Sequence, residues 1–172
     1  MSGTSVEKHI EDQLSADGIL SELREYAAVY SLKLYDSIES TNAEMKQKAS
    51  KPPEWYTIIA QRQTAGHGRL DRPFFSPSNS GIYLSVLIRP ACMAEKAVMI
   101  TAAAAVAACR AIEECSDARP EIKWVNDIYI NGKKVCGILA EGEFSEHEES
   151  FSEIVLGAGF NVYQPESGFP EE

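Results

Sequence analysis

Four short segments of this 172-residue chain combine residue types suited to chemistry on a charged small molecule. The first is Gln63-Thr-Ala-Gly-His-Gly-Arg-Leu-Asp-Arg72. Gly66 and Gly68 lack a Cβ, so the backbone there can approach a ligand and offer N–H donors. Arg69 and Arg72 carry planar donor forks that match phosphate or carboxylate. The same composition also suits a plain surface loop with two solvated arginines. The second segment is Lys123-Trp-Val-Asn-Asp127. On a strand, Lys123 and Val125 would share one face, and Trp124 and Asn126 the other. A lysine in a buried strand needs a counter-charge, which an anionic ligand supplies; an edge-strand lysine reaching solvent needs none. The third, Ser40-Thr-Asn42, is made of helix-capping residues. A helix N-terminus also favours anionic or polar ligand groups. The fourth, Gly157-Ala-Gly-Phe-Asn161, places glycines where they weaken a strand unless something approaches closely. That something is either a ligand or an Ala-rich helix. No Ser or Cys nucleophile with a His base is evident. His9, His67 and His147 are scattered far from the cysteines, which argues against a zinc site.

The elements that must position these segments follow from periodicity. Ile19, Leu20, Leu23 and Tyr26 recur at helical spacing within a partly peripheral segment 1–30. Residues 32–35 alternate as a strand. Thr41-x-x-Glu44 fits a capping box and predicts a helix over 42–49, stopped by Pro52-Pro53. A strand at 57–61 leads into a polar, Gly-rich stretch from 63 to 81, long enough to suggest function. A strand at 82–88 precedes a helix at 94–115 whose apolar residues surround it, so it should be largely buried. Strands follow at 121–125 and 127–130. Asn131-Gly132 marks a two-residue hairpin, with the return strand at 134–141. Glu141, Glu143, Glu146, Glu148, Glu149 and Glu153 read as a solvated turn. A last strand covers 154–161, and 164–172 has loop composition. The expected fold class is α+β, a mixed and mostly antiparallel sheet packed on helices.

Composition narrows the function classes. The apolar fraction is 44% and the charged fraction 24%. Both values are those of a globular domain. Twenty-six acidic against 16 basic residues give a net charge of −10. That balance is unsuited to a phosphate backbone, so no nucleic-acid partner is expected. The longest apolar run spans 97–109, short of the ~20 residues of a membrane helix. The polar start has no signal-peptide core, and the expected compartment is the cytoplasm. Cys92, Cys109, Cys115 and Cys136 form no C-x-x-C pair and read as reduced, mostly buried thiols.

In this order, the segments closely resemble the catalytic core of the biotin–protein ligases. The resemblance runs from about Leu32 to Pro170. It rests on S-T-N at 40–42, Q-T-A-G-H-G-R-L-D-R at 63–72, S-P-x-x-S-G-I-Y-L-S at 76–85, K-W-V-N-D at 123–127, G-K-K-V-C-G-I-L at 132–139 and G-A-G-F-N at 157–161. It implies a class II synthetase-like fold, with a helical segment at 1–30 and a catalytic domain at 31–172. It implies ATP-dependent formation of biotinyl-5'-AMP, with Mg2+, and transfer of biotin to a lysine of a biotin-acceptor (carboxyl carrier) domain. Ser40, Thr41, Asn42, Gln63, Gly66, His67, Gly68, Arg69 and Lys123 would then bind biotin. Arg69, Arg72, Phe74, Asn126, Lys134 and Asn161 would serve ATP. Lys123 and Arg69 would be catalytic, and no residue would hold a metal. The family often has Arg or Lys where this chain has His67, Gly where it has Asp71, and an aromatic residue, often Trp, near Phe74 or Phe75. Family members also continue past the G-A-G-x-N strand, and some carry an N-terminal helix-turn-helix. A core shortened at its C-terminal end, without DNA binding, is therefore expected here. Two other readings remain at this point: a non-catalytic biotin-binding remnant, and a lipoate or octanoate ligase, whose R-R-x-G-G-G loop is absent.

Overall fold

Strand alternation divides this chain into two cores on opposite sides of one sheet. The computed structural model describes residues 14–90, 94–145, 150–165 and 168–169. The elements are α1 (Ala16–Glu22), β1 (Ser31–Tyr35), α2 (Thr41–Lys48), β2 (Tyr56–Ala60), β3 (Gly81–Ile88), α3 (Ala94–Cys115), β4 (Glu121–Lys123), β5 (Asp127–Ile130), β6 (Lys133–Ser145) and β7 (Ser150–Asn161). The strands lie in the order β1-β2-β3-β7-β6-β5-β4. β1 and β2 are parallel and joined through α2; every other pairing is antiparallel. Of the expected N-terminal helical segment, residues 1–13 lie outside the described residues. Ser15 caps α1, and a 3-10 turn at Arg24–Val29 follows.

β7 shows how the two faces are made. Val155 packs with Met45 and Ala49 of α2, Ile58 and Leu87. Its neighbours Leu156, Ala158 and Phe160 pack with Ala105 and Ala108 of α3, Ile128, Cys136 and Ile138. Successive side chains of a strand point to opposite faces, so α2 covers one face and α3 the other. The alanines of α3 let its backbone come close to the sheet.

Several expectations need correction. The N-cap of α2 is Ser40, whose Oγ accepts from Ala43 N at 3.4 Å, so the helix starts at Thr41 and no capping box forms. Glu44 instead accepts from the Tyr35 hydroxyl and pairs with Lys48. Those hydrogen bonds, first from Lys48 and then from Tyr35, hold its carboxyl below the usual carboxylate range. Helix α3 is not buried all round. Of its described side chains only Ala105 and Ala108 are buried, while Met99 is 62% and Val106 43% exposed. The sheet covers one side of this helix, and no described element covers the other. The strand expected over 121–125 ends at Lys123, with a turn at 124–126. Of the two readings of Lys123, the edge-strand one fits: it is an exposed residue of β4, at the edge of the sheet. Of the Glu-rich segment, Glu141, Glu143 and Glu153 lie in the β6–β7 pairing, which continues as far as Ser145 and Ser150 with Phe144 against Phe151 at 5.5 Å. Residues 146–149 lie outside the described residues. Asn131 and Gly132 both take positive φ, 51° and 75°. A type I′ hairpin turn requires this of both its central residues.

The cysteines also differ among themselves. Cys136 is fully buried, and burial pushes its thiol up to about 12. Cys115, at the end of α3, is exposed, and Cys92 lies outside the described residues. Because the thiolate is the reactive form, brief treatment with iodoacetamide at pH 8 should modify Cys115 and spare Cys136. Peptide mass spectrometry checks this; equal labelling would contradict the packing of α3 on β6.

Candidate functional site

A groove of about 320 Å³ opens on the α2 face of the sheet. That is the low end of the range for small-molecule sites. Its floor is the paired glycine-bearing stretch of β6 and β7, where Gly137 lies opposite Gly159. Its walls are the N-terminus of α2, the segment 63–74, and the beginnings of β5 and β6.

The α2 wall is a buried polar cluster. Ser40, Thr41, Asn42 and Ser85 are all nearly inaccessible. The Thr41 amide and hydroxyl both donate to Gln63 Oε1, at 2.8 and 3.1 Å. Gln63 Nε2 donates to Ser76 Oγ at 3.0 Å, which fixes the amide. Ser85 Oγ lies 2.8 Å from Thr41 Oγ1 and 2.5 Å from Asn42 Oδ1. A hydroxyl has one proton to donate, so Ser85 serves only one of these two oxygens at a time. The other can accept from an N–H of a ligand. Asn42 itself lies directly on β7, because a Cβ at Gly157 would overlap its amide.

The second wall is a tight excursion of the chain. Phe74 N donates to Gly66 O and Gly68 N to Arg72 O, both at 2.8 Å. Leu70 and Asp71 turn the chain with φ of 58° and 54°, leaving Leu70 86% exposed. Phe74 then folds inward over the floor. A Cβ at Gly159 would overlap its ring, and one at Gly137 would come within 3.0 Å of Phe74 Cε2. The two readings of G-A-G-F-N are thus both partly right: the glycines seat Asn42 and Phe74, while Ala158 faces α3.

The far end is cationic. Lys134 Nζ pairs with Asp127 Oδ1 at 2.8 Å and lies 5.9 Å from the centre of the Phe74 ring. Arg69 Nη1 donates to Asn126 Oδ1 at 3.3 Å. Asn126 is held in turn by its own donation to Ile138 O at 3.2 Å. One end of the groove therefore offers neutral amides and hydroxyls, and the other two cations beside an aromatic face. A ligand with a polar, uncharged head and an anionic tail fits that gradient.

Of the residues singled out from the sequence, Ser40, Thr41, Asn42, Gln63, His67, Gly68, Arg69, Arg72, Phe74, Asn126 and Lys134 line this groove. Gly66 lies behind the wall, where a Cβ would meet Gln63, Phe74 O and Ser76 at 2.8 Å. Asn161, paired with Gly81 at the end of β7, does not line it. Neither does Lys123, whose ammonium sits 5.1 Å above the Tyr129 ring on the sheet edge. Sequence reasoning missed Glu141. Its carboxylate accepts from Asn42 Nδ2 and Lys46 Nζ, both at 2.8 Å, directly behind the α2 wall. Strand alternation from Gly137 through Leu139 would have placed it on the groove side.

Comparisons with known proteins converge. The family described as biotin/lipoate A/B protein ligase matches residues 34–161. The bifunctional ligase/repressor BirA of Bacillus subtilis is 37% identical over 139 residues, covering 80% of this chain and 42% of that protein. The biotin--[acetyl-CoA-carboxylase] ligase of Mycobacterium tuberculosis is 33% identical, covering 77% of this chain and 50% of its own. Among solved structures, a biotin protein ligase from Aquifex aeolicus in complex with biotin and ATP superposes with a TM-score of 0.68. It is 30% identical, and the match covers 82% of this chain and 55% of that one. The chain thus spans about half the length of the relatives it matches. Among the described residues, no helix is long and apolar enough to cross a membrane.

Proposed function

The chain belongs to the biotin/lipoate A/B protein ligase family, and on that basis we propose that it carries the adenylation site of a biotin–protein ligase. The observation that carries this reading is the polarity gradient of the groove. The ureido ring of biotin, with two N–H donors and one carbonyl, suits the amide and hydroxyl end built by Thr41, Asn42 and Gln63. Its valerate carboxylate would then reach the cationic end at Lys134 and Arg69.

In the first step a carboxylate oxygen of biotin attacks the α-phosphorus of ATP. The P–O bond to the β-phosphate breaks, and pyrophosphate leaves. Both reactants are anionic, so cations at the junction offset their repulsion and hold them in line. We assign the contact with the reacting oxygens to Lys134, a reading supported by its place in the groove lining, which does not include Lys123. Arg69 and Arg72, on the loop, supply the charge for phosphate oxygens, and Phe74 offers a stacking face. In the second step the amine of an acceptor lysine attacks the acyl carbonyl and AMP leaves, giving the amide. A biotin-acceptor carrier domain is the partner this chemistry requires. The described residues hold no group of three or more His, Cys, Asp or Glu that could cage a metal ion. Magnesium would enter on the nucleotide phosphates, as is usual for this ion. The proposed compartment is the cytoplasm, which supplies ATP and keeps thiols such as Cys136 reduced.

The test is to mix the chain with biotin and Mg-ATP and detect biotinyl-adenylate by mass spectrometry. The adenylate should appear with biotin and not with lipoate or octanoate, whose heads present no paired N–H donors. Biotin binding without adenylate would identify a binding remnant instead. Arg69→Ala should lower adenylate yield by about 10- to 100-fold, less than the full cost of a preorganised donor, because Arg69 is exposed and held by one bond to Asn126 at 3.3 Å. Its melting temperature should hold, since Arg69 is an exposed loop residue. An undiminished yield would remove Arg69 from the mechanism.

A further inference from the structure

The carboxylate of Glu141 lies where β6 passes beneath both walls of the groove. Oε1 accepts from Lys46 of α2 at 2.8 Å. Oε2 accepts from Asn42 Nδ2 at 2.8 Å and faces His67 Nε2 at 3.8 Å. Asn42 belongs to the α2 wall and His67 to the loop wall, and both line the groove, whereas Glu141 does not. One carboxylate oxygen thus stands between the two halves of the site.

We propose that Glu141 is a positioning residue that ties the 63–74 loop to the N-terminus of α2 through His67, more tightly when His67 is protonated. The inference rests on the biotin reading for its ligand, but its geometry does not. At 3.8 Å the contact is longer than a hydrogen bond and within ion-pair range. Its strength therefore depends on the charge of the imidazole. Glu141 is the only carboxylate within 4.0 Å of His67 among the described residues. Lys46, on the same carboxylate, is the charged group that α2 contributes. Arg69, Asp71 and Arg72 belong to the loop itself.

The Glu141 carboxylate keeps its charge over the histidine range. Burial draws its carboxyl up, but hydrogen bonds from Lys46 and Asn42 outweigh this and hold it below the usual carboxylate range. The sign follows. With His67 protonated, a cation faces a carboxylate and the loop is drawn onto α2. With His67 neutral that attraction is lost and the loop loosens. A permanently charged residue at this position would not give such a response.

The experiment uses the intact chain without ligand. Hydrogen exchange of residues 63–74 is followed at pH 6 and pH 8, corrected for the intrinsic exchange rate. The wild type should show about 2- to 5-fold greater protection at pH 6, the range of a partly exposed ion pair. Glu141→Gln, which keeps the amide-sized side chain, should abolish the difference. His67→Gln, which leaves the Glu141 bonds to α2 intact, should abolish it as well. His67→Arg should give protection that is high at both pH values. A pH difference that survives in either Gln variant, or its absence from the wild type, overturns the proposal. Biotin titrations on the same samples should show affinity falling in parallel from pH 6 to pH 8. Absence of biotin binding at either pH, with the exchange pattern retained, would refute the biotin reading and support the Glu141–His67 contact.

Discussion

Lys134→Ala should lower single-turnover formation of biotinyl-adenylate by about 100- to 1000-fold, the cost of removing one preorganised charge at a developing oxyanion. Lys123→Ala should leave it within about 3-fold, since exposed charges outside a site contribute little. The contrast follows from where the two ammonium groups lie. Lys134 is only partly exposed, is held at 2.8 Å by Asp127, and lies beside the Phe74 ring inside the groove. Lys123 lies over Tyr129 on the outer strand. Removing Lys134 also leaves Asp127 uncompensated, so a negative charge stands where the proposed reaction would bring two anions together. Lys134→Arg should recover part of the loss, because charge is retained while the point geometry of an ammonium is not. If Lys123→Ala were the more damaging change, the β4–β5 turn would have to close over the ligand in a way the present geometry does not provide.

Gly159→Val should destabilise the chain by about 1–3 kcal/mol through overpacking and weaken biotin binding with it. In a strand with open space the same change would help, since valine has the better β-propensity by up to ~1 kcal/mol. The sign therefore reports on one contact. A Cβ at residue 159 would overlap the Phe74 ring, which also rests on Gly137 and has Tyr83 edge-on at 6.5 Å. The ring has no room to retreat toward the sheet and must swing out of the groove. Adding Phe74→Ala to Gly159→Val should restore most of the stability while leaving ligand affinity low. Urea unfolding of the wild type, both single variants and the double variant gives the coupling. Additive losses would mean that the ring does not sit on the glycine floor.

The contrast between what was legible in the sequence and what was not has a physical pattern. Asn131-Gly132 announced its hairpin because the positive φ of a type I′ turn is a local demand. Helix α2 and the strands on either side of it were legible for the same reason. The start of α2 was misplaced by one residue, because the Thr41 hydroxyl that looked like a cap is used by Gln63, a partner 22 positions away. The different settings of the two lysines were not legible, because the end of β4 at residue 123 depends on pairing across the sheet, which no local pattern encodes. Glu141 was hidden in a run of glutamates that reads as solvated. Its role comes from the long β6–β7 pairing and from Asn42 on a distant helix. The open side of α3 was missed because an apolar helix surface says only that it is apolar, not which layer will cover it.

The position of β7 has a consequence for how the protein is made. It is the last of the described strands, yet it lies in the middle of the sheet, between β3 and β6. During synthesis, β1, α2, β2 and β3 leave the ribosome early and can pair with one another. The glycines that receive Asn42 and Phe74 are at positions 157 and 159, so the groove has no floor until nearly everything described here has been translated. Until then β3 and β6 each present an unpaired edge, the kind of surface on which chains associate wrongly. Contacts so distant along the chain also make folding slow. Nascent chains stalled before residue 150 should bind chaperones and no biotin, and release beyond residue 161 should change both together.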